Sequence, residues 1–221
     1  MTTVEADVRA PADLAPPEPS TPRGRAAGLV LGVVAVFAAA ALAGWHVTAS
    51  AALASVSLEY DAEPIVCDGA DVGTLPSPMN DEFLWPAVAL EPGATCELRI
   101  HVVNGGPQSV MVDAVTLAQL APGGPTGLEV SFVNPNAQHG EAVDGDHRFP
   151  VEGGLPVDAG TIQTFIAVLT FAGESRYAEC SSTAWAIPSV TVSALGQSRT
   201  VAAPAGREIW FHYGGFEECA S

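Results

Sequence analysis

The stretch LEPGATCELRIHVVNGGPQSVMVDAVTL, residues 90–117, contains clear strand signals. Residues 97–102 alternate between polar and apolar side chains, which is the period of a strand with one buried face. The Asn-Gly-Gly-Pro sequence at 104–107 predicts a turn, and residues 110–117 predict a second strand after it. Within this second strand the apolar positions change phase, which predicts a β-bulge near residues 113–114.

Five more segments carry strand signals, and no segment of residues 55–221 has the period of an amphipathic helix. The run 162–171 is apolar in both phases and therefore predicts a central strand. The 22 glycines and 18 prolines favour short strands joined by turns. Together these signals predict an all-β fold, an antiparallel β-sandwich. The five further predicted strands are 56–60, 128–132, 162–171, 190–194 and 209–213.

The order proline-glycine, strand, Asn-Gly turn, strand in residues 90–117 resembles a hairpin of immunoglobulin-like modules in bacterial surface proteins. The whole chain resembles uncharacterised actinobacterial single-pass membrane proteins with such an outer domain. The resemblance implies an all-β, immunoglobulin-like antiparallel β-sandwich that lies outside the cytoplasm, and it implies no activity. The Cys, Trp, Cys spacing of antibody domains is absent from the sequence, so a true antibody-like domain is not implied.

Two segments, 61–94 and 118–160, are rich in proline and glycine and predict long connections. Long connections in compact domains are often functional. The first one contains Met79, Phe83, Leu84 and Trp85 between prolines. These apolar side chains would either cap one end of the sandwich or form an exposed contact patch.

An uncharged apolar run at 26–44 predicts a transmembrane helix, which we place at residues 26–45 with Trp45 at the outer boundary. Arg23 and Arg25 precede the run, and the next basic residue is Arg99. The positive-inside rule therefore predicts a single-pass protein of the cell membrane with a cytoplasmic N-terminus and an extracytoplasmic C-terminal domain. The alternative is a cleaved signal peptide, because residues 49–51 and 52–54 both match a small-x-small cleavage site.

The predicted helix divides the chain into four parts. Residues 1–25 are rich in proline and lack apolar periodicity, which predicts a disordered cytoplasmic tail. Residues 46–54 are expected to form a short linker, and residues 55–221 form the outer domain. Gly28 and Gly32 form a small-xxx-small pair in the helix and are candidates for helix–helix packing.

The charge of the protein is strongly negative. The net charge is −17, and all eight basic residues are arginine. From Trp45 onward there are five arginines and 21 acidic residues, so this part carries −16. Such a surface repels nucleic acid, and we expect no nucleic-acid partner.

The four cysteines, at 67, 96, 180 and 219, all lie in the predicted outer domain. An even number of cysteines in an oxidising compartment predicts two disulfides. Metal binding is the alternative, although no two cysteines are closer than 29 positions and zinc sites usually contain a close pair. Since consecutive strands often pair antiparallel, strand ends that follow one another should meet, which predicts the bonds Cys67–Cys96 and Cys180–Cys219.

One dense group of potential metal ligands occurs in the segment 134–147. Carboxylates would suit calcium and imidazoles a transition metal, although the order of a calcium-binding EF-hand loop is absent. An ordinary polar turn around the Asp-Gly pair at 144–145 explains the composition equally well. The weak candidate ligands are His139, Glu141, Asp144, Asp146 and His147.

The sequence contains no GxSxG motif and no glycine-rich phosphate loop, and we predict neither an enzyme nor a cofactor. Two hypotheses follow. The first is a structural or protein-interaction module of the cell envelope, anchored in the membrane by its helix and bound to a protein partner that the sequence does not identify. The second is a ligand-binding or metal-binding module that uses the segment 134–147.

Overall fold

The computed structural model describes residues 23–61, 65–77, 80–132, 139–185, 188–204 and 208–219. Helix α1 spans Arg23–Ala54 and is followed by fourteen strands among these residues. The strands are β1 (Val56–Glu59), β2 (Ile65–Asp68), β3 (Val72–Ser77), β4 (Asn80–Leu90), β5 (Thr95–Asn104), β6 (Val110–Leu117), β7 (Leu128–Phe132), β8 (Glu141–Val143), β9 (Asp146–Val157), β10 (Ile162–Phe171), β11 (Ser182–Trp185), β12 (Ser189–Ala194), β13 (Gln197–Ala202) and β14 (Ile209–Tyr213).

The chain divides into two compact units, residues 1–44 and residues 45–221. In the first unit, the described part of α1 exposes its apolar side chains from Leu31 onward. The segment Leu31–Ala54 has a mean hydropathy of 1.8 over its most apolar window, and it is long and apolar enough to cross a membrane. Of the predicted tail, residues 1–22 lie outside the described residues, and residues 23–25 are already helical.

The end of α1 belongs to the second unit. Residues 46–54, which were expected to form a linker, continue the helix to Ala54. Alanine has the highest helix propensity, and it dominates this segment. Ala49, Ala52 and Leu53 are buried among the side chains of the β domain, so tertiary packing stabilises these last turns.

The described residues of the β domain form three sheets. Sheet A has the order β1-β5-β10-β7, with β2 also paired to β5. Sheet B has the order β11-β14-β4-β3, and sheet C has the order β13-β12-β6-β9-β8. All pairs are antiparallel except β4 and β14, which run parallel.

One hydrophobic core joins the three sheets. Ile100 and Phe165 enter it from sheet A, Val112 from sheet C, and Val88 and Phe211 from sheet B, each with 1% exposure or less. Full burial of a side chain of this kind stabilises the fold by about 1.5–3 kcal/mol. The predicted all-β sandwich is therefore confirmed. The prediction that it is antiparallel is corrected at one strand pair, because β4 and β14 run parallel.

The strands with clear periodicity lie where they were predicted. The bounds of β7, β10 and β14 are the predicted ones, and β10 is an interior strand of sheet A. The predicted bulge is also present, because β12 pairs with Ala114 and Val112 of β6 and passes over Asp113.

The predicted hairpin within residues 90–117 is wrong. Strand β5 belongs to sheet A and β6 to sheet C, so the connection at 105–109 crosses between sheets. The side chain of Asn104 fixes this crossing, since its Nδ2 donates to the carbonyl of Gln108 at 2.7 Å and to that of Val157 at 3.0 Å.

The two segments predicted as long connections also contain strands. Strands β2, β3 and β4 lie in 61–94, and β7, β8 and β9 lie in 118–160. The prolines in these segments favoured connections over strands, because proline has no N–H to donate within a sheet. Pro150 and Pro156 lie in the part of β9 that pairs with β6 on one side and has no partner strand on the side of β8. A missing N–H on the side of β8 therefore interrupts no ladder.

Candidate functional site

Both disulfides form between the predicted partners. Cys67 of β2 faces Cys96 of β5 directly in the antiparallel register, with the two Cα atoms 4.0 Å apart. The second bond joins Cys180 and Cys219, with Cα atoms 5.3 Å apart. Its pairing was predicted from the strand at 190–194, whereas β11 is the strand that follows Cys180 and pairs with β14. No free cysteine remains.

The candidate metal ligands lie in the hairpin of β8 and β9 and in the residues just before it. The carboxylate of Glu141 accepts from Arg148 Nη1 at 2.9 Å, and Asp146 Oδ1 accepts from the backbone N–H of Gln119 at 2.9 Å. His139 and Asp144 are exposed. Within the described residues no group of three acidic, histidine or cysteine side chains is placed to hold a metal ion. Residues 134–138 of the predicted segment lie outside the described residues.

His147 differs from these ligands because it is buried, with 5% exposure. Its ring packs against Phe149, with ring centroids 4.1 Å apart, and a side chain at Gly140 would collide with it. Burial lowers the pKa of His147, and the backbone of Gly140 and Leu120 opposes this in part. These contacts make His147 a core residue of the hairpin and not an accessible ligand.

A second buried histidine, which the sequence did not single out, lies on sheet B. His212 has 6% exposure, its Nδ1 lies 2.8 Å from Ser182 Oγ, and its ring stacks on Phe216 at 5.2 Å between centroids. Nε2 has no hydrogen-bond partner among the described residues, and burial lowers the pKa of the ring. A serine–histidine pair acts as a nucleophile and base when a third group orients the imidazole, and no side chain in the described part of the chain bonds to Nε2.

An open groove of about 570 Å³ lies between β1 and β13. In the described part of the chain β1 pairs only within sheet A and β13 only with β12, so both are edge strands. The lining residues are Val56, Ser57, Leu58, Glu59, Tyr60, Arg199, Val201, Ala202 and Pro204. This groove was not predicted, because β13 was not predicted and nothing in the sequence places it beside β1.

The backbone of both edges faces outward at alternate residues. The carbonyl of Ser55 accepts from Gly105 at 3.0 Å, so by alternation Val56 and Leu58 direct their N–H and C=O groups away from β5. On the other edge, Ala203 N donates to the carbonyl of Pro188 at 3.3 Å, so Thr200 and Ala202 direct theirs away from β12. Such unpaired edges are templates for another strand.

The polar groups of the groove carry both signs of charge. Glu59 and Arg199 are exposed in its lining, whereas Tyr60 is half-buried. Burial raises the pKa of Tyr60 far above its usual value of 10.0, and the negative charge of Glu208 raises it further. The phenol therefore stays neutral and able to donate a hydrogen bond throughout the physiological pH range.

The candidate packing residues Gly28 and Gly32 both lie on α1. An added Cβ at Gly32 would meet no atom within 4 Å. The position is sterically open, and self-association through it stays a prediction.

Comparisons with known proteins give a fold-level likeness alone. No family model matches the chain, and no curated protein matches it. Two crystal structures of the GH20 exo-β-N-acetylglucosaminidase from Vibrio harveyi align with 73% of this chain, at 8% and 10% identity and TM-scores of 0.34 and 0.36. The chain spans about a fifth (19%) of the length of that enzyme.

A third structure is an uncharacterised protein from Nocardia farcinica, described as having an immunoglobulin-like fold. It aligns with 66% of this chain and 98% of its own, at 12% identity and a TM-score of 0.34. The description agrees with the predicted fold class. Similarities this weak carry no argument about activity or binding.

Proposed function

We propose that this protein is a membrane-anchored, extracytoplasmic β-sandwich module that binds a protein partner and is not an enzyme. The observation that carries the proposal is the exposed apolar surface of α1. Leu31, Phe37 and Leu42 are 70%, 72% and 64% exposed. Side chains of this kind require an apolar medium, and a helix of this length and composition suits a bilayer.

Two further observations support the location of the β domain outside the cytoplasm. Arg23 and Arg25 precede the apolar run, and no basic residue follows it before Arg99. All four cysteines of the β domain are in disulfides, which persist in oxidising compartments.

The groove between β1 and β13 supports protein binding by strand addition. An extended segment of a partner would pair its backbone with the outward edge of β13 at Thr200 and Ala202, and its side chains would contact β1. Main-chain hydrogen bonds supply the affinity in this mode of recognition. The net charge of −16 after Trp45 favours a partner with a basic surface and disfavours nucleic acid. Metal binding by 134–147 gains no support from the described residues.

Reporter fusions test the topology. Alkaline phosphatase fused after Ser221 should be active, and a reporter that requires the cytoplasm should be silent at the same position. The opposite pattern would place the β domain in the cytoplasm and overturn the proposal.

Photo-crosslinking in intact membranes tests the groove. A photoreactive residue at Ser57, in the groove, should give one defined protein adduct, whereas one at Val66, which is 53% exposed on β2, should not. Thr200→Pro removes an outward N–H from an edge strand and should abolish the Ser57 adduct, while Ser198→Ala should preserve it. Equal adducts from Ser57 and Val66, or an adduct that survives Thr200→Pro, would refute strand addition.

A further inference from the structure

The β12–β13 hairpin has an unusual tip. Its two-residue loop is Leu195-Gly196, with φ of 49° and 78°. Positive φ at both positions defines a type I′ turn, in which asparagine, aspartate or glycine is strongly preferred at the first position. Leucine pays a steric penalty there, and its side chain is 51% exposed. Neither the turn nor the core accounts for this residue.

The same domain contains the ordinary form of this turn for comparison. The β8–β9 hairpin closes with Asp144-Gly145, with φ of 52° and 91°. The two loops have the same length and the same left-handed conformation. They differ at the first position, which carries a charge in one hairpin and a bulky apolar side chain in the other.

The Leu195 tip lies beside the helix segment that directly follows the apolar run of α1. A Cβ on Gly196 would lie 3.8 Å from Trp45 Cζ2, and Ser50 Oγ donates to Gln197 Oε1 at 3.3 Å. Trp45 is 44% exposed, and Val47, two residues further along, is 67% exposed. Large apolar side chains from two distant parts of the sequence therefore meet the solvent in one region of the β unit.

The two stretches that form this region contain no charged residue of their own, although Asp113 of β6 accepts a hydrogen bond from Ser193 at the base of the hairpin, with the two oxygens 3.0 Å apart. Residues 26–58 contain no acidic residue, lysine or arginine, and neither do residues 193–198. The rest of the β unit is strongly acidic, with all 21 acidic residues of the segment after Trp45 outside these two stretches. An uncharged surface avoids the large desolvation cost of bringing charges to lipid.

We infer that the tip of the β12–β13 hairpin inserts Leu195 into the interfacial region of the bilayer, beside Trp45. The partner of this surface is the boundary between headgroups and acyl chains of a zwitterionic lipid layer, where tryptophan is enriched and leucine gains from burial. This inference rests on the proposed function, because it requires α1 to be in the membrane. The hairpin and the helix then provide two contacts with the same leaflet, which restrict tilting of the β domain.

Fluorescence quenching in lipid nanodiscs tests the inference on the full chain. Leu195→Cys is labelled with an environment-sensitive fluorophore, and Asp144→Cys, at the same position of the other type I′ turn, is the matched control. In phosphatidylcholine nanodiscs, brominated acyl chains should quench the Leu195 probe and aqueous iodide should reach it poorly. The Asp144 probe should show the reverse.

A probe at Phe37 separates this inference from the anchor on which it depends. If brominated lipid quenches the Phe37 probe but not the Leu195 probe, the helix spans the membrane and the hairpin contact is refuted. If neither probe is quenched, the proposed anchor fails and the hairpin contact fails with it. Equal accessibility of the Leu195 and Asp144 probes to iodide would also refute the contact.

Discussion

Replacement of Asn104 by alanine should destabilise the β domain more than any other single loss of a polar side chain that we consider. Asn104 is fully buried at the point where the chain leaves sheet A. Its Nδ2 lies 2.7, 3.0 and 3.2 Å from the carbonyls of Gln108, Val157 and Asp158, and its Oδ1 accepts from Gly106 N at 3.0 Å. The side chain thus connects the end of β5 to the crossing loop and to the end of β9.

The magnitude follows from these bonds. The amide has two protons, so Nδ2 makes two full hydrogen bonds, and Oδ1 adds a third with Gly106. At about 1 kcal/mol net for each bond, with a further penalty of about 1 kcal/mol for partners left buried and unpaired, the free energy of unfolding should fall by about 3–4 kcal/mol. For a domain of this size that corresponds to a decrease of roughly 10 °C in the melting temperature.

Chemical and thermal unfolding of the full chain in detergent measures this difference. Ser109→Ala is the control, because Ser109 is exposed in the same crossing loop and donates a single hydrogen bond to Asp158 Oδ1 at 3.0 Å. We expect the control to change stability by less than about 0.5 kcal/mol. A loss below about 1 kcal/mol for Asn104→Ala would show that the crossing does not depend on this amide.

Three further predictions concern stability. Burial lowers the pKa of His147 and His212 below 6.5, so the unfolded chain binds more protons than the folded protein and the free energy of unfolding should decrease as the pH falls below about 6.5. If His147→Phe and the unchanged protein showed the same pH dependence of stability, the prediction would be wrong for His147. Replacing Cys67 and Cys96 together by serine opens a loop of 29 residues and should cost about 3–4 kcal/mol in the chain-entropy model, whereas a loss under about 1 kcal/mol in denaturant titration would argue against it. Leu195→Asn should increase the free energy of unfolding of the detergent-solubilised protein by up to about 1 kcal/mol and raise its melting temperature, because asparagine tolerates the left-handed conformation better than leucine. A lower melting temperature would indicate that the leucine has a packing role.

Local sequence determined the elements whose signal depends on neighbouring residues. Strands β7, β10 and β14 have the predicted bounds because their side chains alternate, or are apolar throughout, within one segment. The bulge at Asp113 was readable for the same reason, since the change of apolar phase occurs within β6. The apolar helix also followed from the order of residues along the chain. Both cysteine pairs were predicted correctly, although the bond Cys180–Cys219 was argued from the strand at 190–194 and depends on β11.

Tertiary structure decided what depends on contacts between distant segments. Strands β4 and β9 contain prolines, and their identity as strands depends on which edge of each strand has a partner. The Asn-Gly turn after β5 became a crossing between sheets, because Asn104 bonds to the carbonyls of Val157, at the end of β9, and of Asp158, which directly follows it; both are more than fifty positions away. Likewise, β1 and β13 form a groove, and the Leu195-Gly196 turn lies beside Trp45, only because packing of the common core brings these segments together. Local periodicity records which face of a strand is buried, and it contains no information about which other strand will lie beside it.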